Sequence, residues 1–117
     1  MSELDTVQVK TMKMLGVCSY TVDISTGWII CRYEEGRTYI SKSDVDKKAK
    51  TIAGVFDRKM LEELVLRNKT GKVSRGNFLR RLAQSGVRWY EVTLDGNAPR
   101  VTYISTSDTL SVALELD

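Results

Sequence analysis

A chain of 117 residues without a single histidine lacks the commonest general base and the commonest metal ligand. Its two cysteines, Cys18 and Cys31, do not have CxxC spacing, so a zinc site is not expected. Without histidine, a cysteine nucleophile would need an unusual base, and the plain reading of both is a buried structural thiol. Glu34-Glu35 and Glu62-Glu63 are sequence neighbours, which point in different directions on a strand or a helix. Asp44 and Asp46 sit in a lysine-rich stretch, and Thr70-Gly71-Lys72 lacks the first glycine of a phosphate loop. No base, nucleophile and stabiliser can be named together. The expectation is a protein that is not an enzyme, with no metal and no cofactor.

Two groups of residues remain that could bind a partner. Residues 65–90 contain no Asp or Glu but hold Arg67, Lys69, Lys72, Arg75, Arg80, Arg81 and Arg88. Three of these, Arg75, Arg80 and Arg81, fall on a helix candidate at residues 74–85. That basic helix is either a solvated surface or a site for phosphates. The stretch 68–73 before it is longer than the 3–4-residue turn of a helix-turn-helix. The second group is Trp28, Ile30 and Trp89, which lie among Thr, Asp, Glu and Arg on strand candidates.

The elements that would position these residues follow from periodicity and turn chemistry. Leu4, Val7, Met12 and Leu15 give residues 3–15 a helical face that ends at Gly16. Residues 17–24 and 28–33 read as strands around Ser25-Thr26-Gly27, and Glu34-Glu35-Gly36 turns into a third strand at 37–40. Residues 41–50 read as a loop or weak helix start with Ser43 or Asp44 as a cap. Phe56, Met60, Leu61, Leu64 and Val65 make a helical stripe within 56–67. Ser74 caps the next helix, whose stripe is Phe78, Leu79, Leu82 and Ala83, and Gly86 stops it. Strands follow at 87–94 and 100–104 around a turn at 95–97, and residues 110–116 alternate as a last strand.

The order α-β-β-β-α-α-β-β-β makes this an α+β chain. Gly86-Val87-x-x-Tyr90-x-Val92 matches Gly16-Val17-x-x-Tyr20-x-Val22, and without a gap Tyr103 matches Tyr33. The chain 1–117 is expected to be one domain with an internal repeat at about 12–33 and 82–103. Its two related helix-hairpin units would merge into one antiparallel sheet with helices on one face. Pairing Val22 with Cys31 and Tyr20 with Tyr33, and Val92 with Val101 and Tyr90 with Tyr103, puts the tyrosines and valines on one face. Trp28, Ile30 and Trp89 then share the other, which is open to a partner unless a loop, the last strand or the segment 42–53 covers it. In that register Cys18 is too far from Cys31 for a disulfide, whose Cα atoms must lie within ~7 Å.

These motifs carry a family resemblance. Leu15-Gly16-Val17-x-x-Tyr20, Gly71-Lys72 ahead of Phe78, Ala83-x-x-Gly86-Val87-x-x-Tyr90 and the Thr102-Tyr103 strand resemble the "phage envelope protein"-like family, domain of unknown function 1398, of bacteria and prophages. The resemblance covers most of residues 12–103. Family members usually begin with an additional helix, and a cysteine often stands where this chain has Leu79. The resemblance implies a small α+β protein of phage or prophage context and brings no catalytic residues.

Composition is that of a globular protein, with 42% hydrophobic and 28% charged residues and a net charge of +3. The first ten residues hold no apolar signal stretch, no run approaches the ~18 residues of a membrane span, and two cysteines make no disulfide framework. A bacterial cytoplasm is the expected location. The expected function is stoichiometric, non-enzymatic binding of a host or defence protein, an inhibitory or anti-defence role, through Trp28, Ile30, Trp89 and the basic helix. Sequestration of a small anionic nucleotide by Arg81 or Arg88, in a homo-oligomer, and nucleic-acid binding by residues 74–85 are the alternatives. No membrane partner is expected.

Overall fold

Residues 6–42, 50–94 and 99–113 are described by the computed structural model. The elements run α1 (Thr6–Met14), β1 (Val17–Asp23), β2 (Trp28–Tyr33), β3 (Thr38–Lys42), α2 (Arg58–Lys69), α3 (Arg75–Gln84), β4 (Trp89–Thr93), β5 (Arg100–Ile104) and β6 (Thr109–Ala113). Caps define the two longer helices. Asp57 accepts from the Met60 amide at 3.0 Å and starts α2, and Ser74 accepts from the Asn77 amide at 3.4 Å and starts α3. Gly86 ends α3. Its φ is +86°, its amide donates to the Ala83 carbonyl at 3.1 Å, and the Val87 amide donates to Leu82 at 3.0 Å. These are the paired bonds of a Schellman stop, which favours glycine because a side chain resists the left-handed conformation.

All six strands form one antiparallel sheet in the order β3-β2-β1-β4-β5-β6. The two three-stranded arms meet at β1 and β4, where Tyr20 faces Val92, Thr21 faces Glu91 and Val22 faces Tyr90. The two Tyr-x-Val triplets that match in sequence therefore lie directly against each other, related by a two-fold between Thr21 and Glu91.

The second hairpin has the expected register, with Tyr90 opposite Tyr103 and Val92 opposite Val101. The first does not. Tyr20 faces Cys31 and Val22 faces Ile29, two residues away from the expected pairing. The connection between β1 and β2 is shorter than that between β4 and β5, so Cys31 rather than Tyr33 occupies the place of Tyr103. Tyr33 pairs with Val17 across a bulge at Cys18. A slip of two keeps every side chain on its face, so the division of the sheet into two faces stands. Both cysteines are free thiols. Strand β3 runs on through Ser41 and Lys42, residues expected in a loop. The proposed caps Ser43 and Asp44, the turn at 95–97 and the last residues of the C-terminal strand lie outside the described residues.

One face of the sheet carries the core. Tyr20, Val22, Tyr90, Val92, Val101 and Tyr103 are buried against Phe78, Leu79 and Leu82 of α3 and Leu61 and Leu64 of α2. Phe78 sits edge-on to Tyr90 and Tyr103, with ring centroids 6.5 and 6.4 Å away. Met12 of α1 packs against the same cluster.

Candidate functional site

Strand alternation turns the remaining side chains away from the helices. Trp28, Ile30, Ile40, Trp89 and Ile104 all project from this second face, and the pairs Thr21–Ile30, Ile30–Ile40 and Trp89–Ile104 place them on adjacent strands. Trp28 is 44% exposed, Trp89 38% and Ile40 59%, while Ile30 and Ile104 are half-buried. The sequence-predicted trio Trp28, Ile30 and Trp89 is therefore brought together in one accessible cluster.

Cations frame it. Lys42 Nζ lies 5.9 Å from the Trp28 ring centroid, within reach of a cation–π contact. Arg32 Nη1 donates to Thr21 Oγ1 at 2.9 Å, and Arg100 Nε donates to Ser111 Oγ at 2.8 Å. Each guanidinium is held along the sheet by one hydroxyl, and neither has a carboxylate partner among the described residues. Among the described residues, Asp23 and Glu91 are the acidic residues of this face. Asp23 accepts from Thr26 Oγ1 at 2.6 Å.

A cleft of about 600 Å³ continues this face at the end of the sheet, lined by Trp89, Arg88 and Asp23 together with Ser25, Lys50, Thr51 and Ile52. Two bonds join Ser25 to Lys50, the Lys50 amide donating to the Ser25 carbonyl at 2.8 Å and Ser25 Oγ donating to the Lys50 carbonyl at 3.2 Å. Arg88 thus joins the tryptophan cluster.

The other predicted arginines do not. Arg80 and Arg81 are exposed on α3, on the far side of the sheet from Trp28 and Trp89. Arg80 Nη1 donates to Asn77 Oδ1 at 2.8 Å, and Arg81 lines a shallow groove with Met60, Glu63, Leu64 and Arg67. Arg75 is the first residue of α3, and its side chain lies outside the described part of the molecule. The sheet separates the two groups, so no small ligand can touch Trp89 and Arg81 of one copy together.

The sequence alone places Asp23, Arg32 and Arg100 on this face beside the tryptophans, but it passes over Ile40, Ile104 and Lys42. Ile104 continues the β5 alternation beyond Thr102, a signal that was present. Ile40 could be placed only once Ile30 was known to pair with it.

Burial pushes the Cys31 thiol above its ordinary pKa of 9.0, an effect the neighbouring Arg32 charge partly offsets. Cys18 Sγ donates to the Arg32 carbonyl at 3.2 Å. Among the described residues no group of three or more Cys, Asp or Glu side chains could hold a metal ion, and no helix is long and apolar enough to cross a membrane.

The model of a family described as "Protein of unknown function (DUF1398)" matches residues 6–113. No curated protein matches the chain.

Proposed function

The chain belongs to the DUF1398 family of proteins of unknown function, and from its geometry we propose that it works by stoichiometric binding of a protein partner on the tryptophan face of the sheet. One observation carries this reading: two partly exposed tryptophans share a sheet face with Ile30, Ile40 and Ile104, and no described element packs over them. Exposed aromatic side chains ringed by polar groups suit a partner surface, and tryptophan and arginine are the residues most enriched at binding hot spots. Among the described residues, Lys42, Arg32, Arg100 and Arg88 outnumber Asp23 and Glu91 around the cluster, which favours a partner with apolar and acidic side chains. In the bacterial and prophage setting suggested by the sequence resemblance, that partner is a host or defence protein met in the cytoplasm.

The test is co-purification from the host with the wild-type chain and with Trp89→Ala. The reading expects a stoichiometric protein with the first that is lost with the second, while circular dichroism stays the same. A complex that survives the substitution would count against this face.

The cleft supports a second reading, capture of a small anionic nucleotide. Trp89 offers a ring to stack on, and Arg88 and Lys50 offer positive charge, with Asp23 opposing a second anion. This reading expects a saturable thermal shift across a nucleotide panel that Arg88→Glu abolishes. No shift across the panel would end it.

A further inference from the structure

The two outer strands end the sheet in different ways. In β6 the Ser105 amide donates to the Asp108 carbonyl at 3.0 Å, so alternation along the ladder turns the backbone groups of Thr109, Ser111 and Ala113 outward. Arg58 of α2 covers the first of these. Its Nη1 donates to the Thr109 carbonyl at 3.4 Å and stands 3.9 Å from Asp108 Oδ2. In β3 the Tyr33 amide donates to the Arg37 carbonyl at 2.9 Å. By the same alternation Tyr39 and Ser41 bond to β2, and the amides and carbonyls of Thr38, Ile40 and Lys42 point away from it. No described residue takes them up. The strand also exposes apolar side chains on both faces, Ile40 on the tryptophan face and Tyr39, 58% exposed, on the helix face. Edge strands left in this state invite pairing with another strand.

We propose that β3 is a self-association edge, on which a second copy of the chain pairs its own β3 antiparallel about Ile40. The register is self-complementary. Ile40 stands opposite the partner's Ile40 and Thr38 opposite the partner's Lys42, which uses the outward backbone groups of all three residues. Charge selects the direction. Lys42 stands opposite the partner's uncharged Thr38, close to a turn in which Glu34 and Glu35 outnumber Arg37. The two-fold makes this contact twice, whereas a parallel pair would set Lys42 against the partner's Lys42. Pairing of β3 with a second copy's β6 is opposed by Arg58, which already occupies that edge and so limits open-ended chains. A single strand edge is a small interface, so the dimer forms in a concentration-dependent way. Ile40 and Lys42 also flank the tryptophan face, but the pairing runs through the outward backbone groups of β3, so Trp28→Ala and Trp89→Ala are expected to leave the dimer intact.

Sedimentation equilibrium from micromolar to millimolar concentration tests it. The wild-type chain is expected to pass from monomer to dimer. Ile40→Pro removes an amide that β2 does not use, so the hairpin keeps its ladder and the dimer is lost. Ile40→Lys sets like charges across the two-fold and weakens the dimer by about tenfold or more without touching the backbone. If Ile40→Pro changes the circular dichroism spectrum, Ile40→Lys decides. A wild-type chain that stays monomeric over the whole range overturns the proposal, and so does a dimer that Ile40→Lys leaves equally tight.

Discussion

Trp28 and Trp89 stand at one level of the sheet on either side of Asp23. Trp89 is paired with Asp23 directly, and Trp28 lies one step beyond the Val22–Ile29 pair on the opposite strand. Two strand spacings separate them, about 10 Å. Residues far apart in the chain thus form one aromatic surface because β1, the strand between them, is also the strand on which the two arms join. Both tryptophans remain more than one third exposed, so each contributes less than a fully buried aromatic ring. Trp28→Ala and Trp89→Ala should each cost less in urea unfolding than the roughly 3–5 kcal/mol of a fully buried aromatic. A loss of several kcal/mol would mean that the face is packed rather than open.

Phe78 has the opposite role. It is fully buried between Tyr90 and Tyr103 and links α3 to β4 and β5. Phe78→Ala should cost about 3–5 kcal/mol, as a large cavity opens where the ring stood. Urea unfolding followed by circular dichroism would measure this, and a cost below about 1 kcal/mol would contradict the packing described.

Gly86 is held from two directions. Its φ is positive, and a Cβ placed on it would stand 2.5 Å from the Val55 carbonyl oxygen, a backbone atom. Gly86→Ala therefore has to strain the α3 stop and displace the segment that runs into α2. A loss of about 2 kcal/mol or more is expected, well beyond the usual helix-end effect. Gly16→Ala, at a glycine of similar φ with open space around it, should cost less.

Cys31 should respond to pH in a defined direction. Its folded-state pKa lies above the ordinary 9.0, so the folded chain holds the thiol proton more tightly than the unfolded chain. The stability this brings is complete below pH 9.0 and is lost as pH rises through the folded value. Cys31→Val should flatten that part of the stability profile relative to wild type. Unchanged slopes above pH 9.0 in the two proteins would contradict the shift.

Much of this fold was legible because local chemistry announces it. Ser74 and Gly86 bound α3, Gly36 with its acidic neighbours marks the β2–β3 turn, and the alternation in β4 and β5 sets their register. The first hairpin was harder. An ungapped match of Tyr33 to Tyr103 hides the shorter β1–β2 connection and the bulge at Cys18, because a slip of two residues leaves the hydrophobic pattern unchanged. Ser41 and Lys42 resemble loop residues since an edge strand need not bury alternate side chains. Trp28, Ile30 and Trp89 were placed on one surface correctly by alternation alone. Arg80 and Arg81 lie on the opposite side of the sheet, as expected of a helix that covers the tyrosine face, so they and the tryptophans could meet one ligand only between two copies. Asp23 shares the tryptophan face by the same alternation, whereas Ile40 and Lys42 became visible only through the pairing of β2 with β3.

The most direct test of the partner-binding account is hydroxyl-radical footprinting of the tryptophans in the complex isolated from the host. The account predicts that oxidation of Trp28 and Trp89 falls several-fold on complex formation, while exposed Leu66 on α2 reacts as it does in the free chain. Tryptophans that react equally in the free and bound states would contradict it.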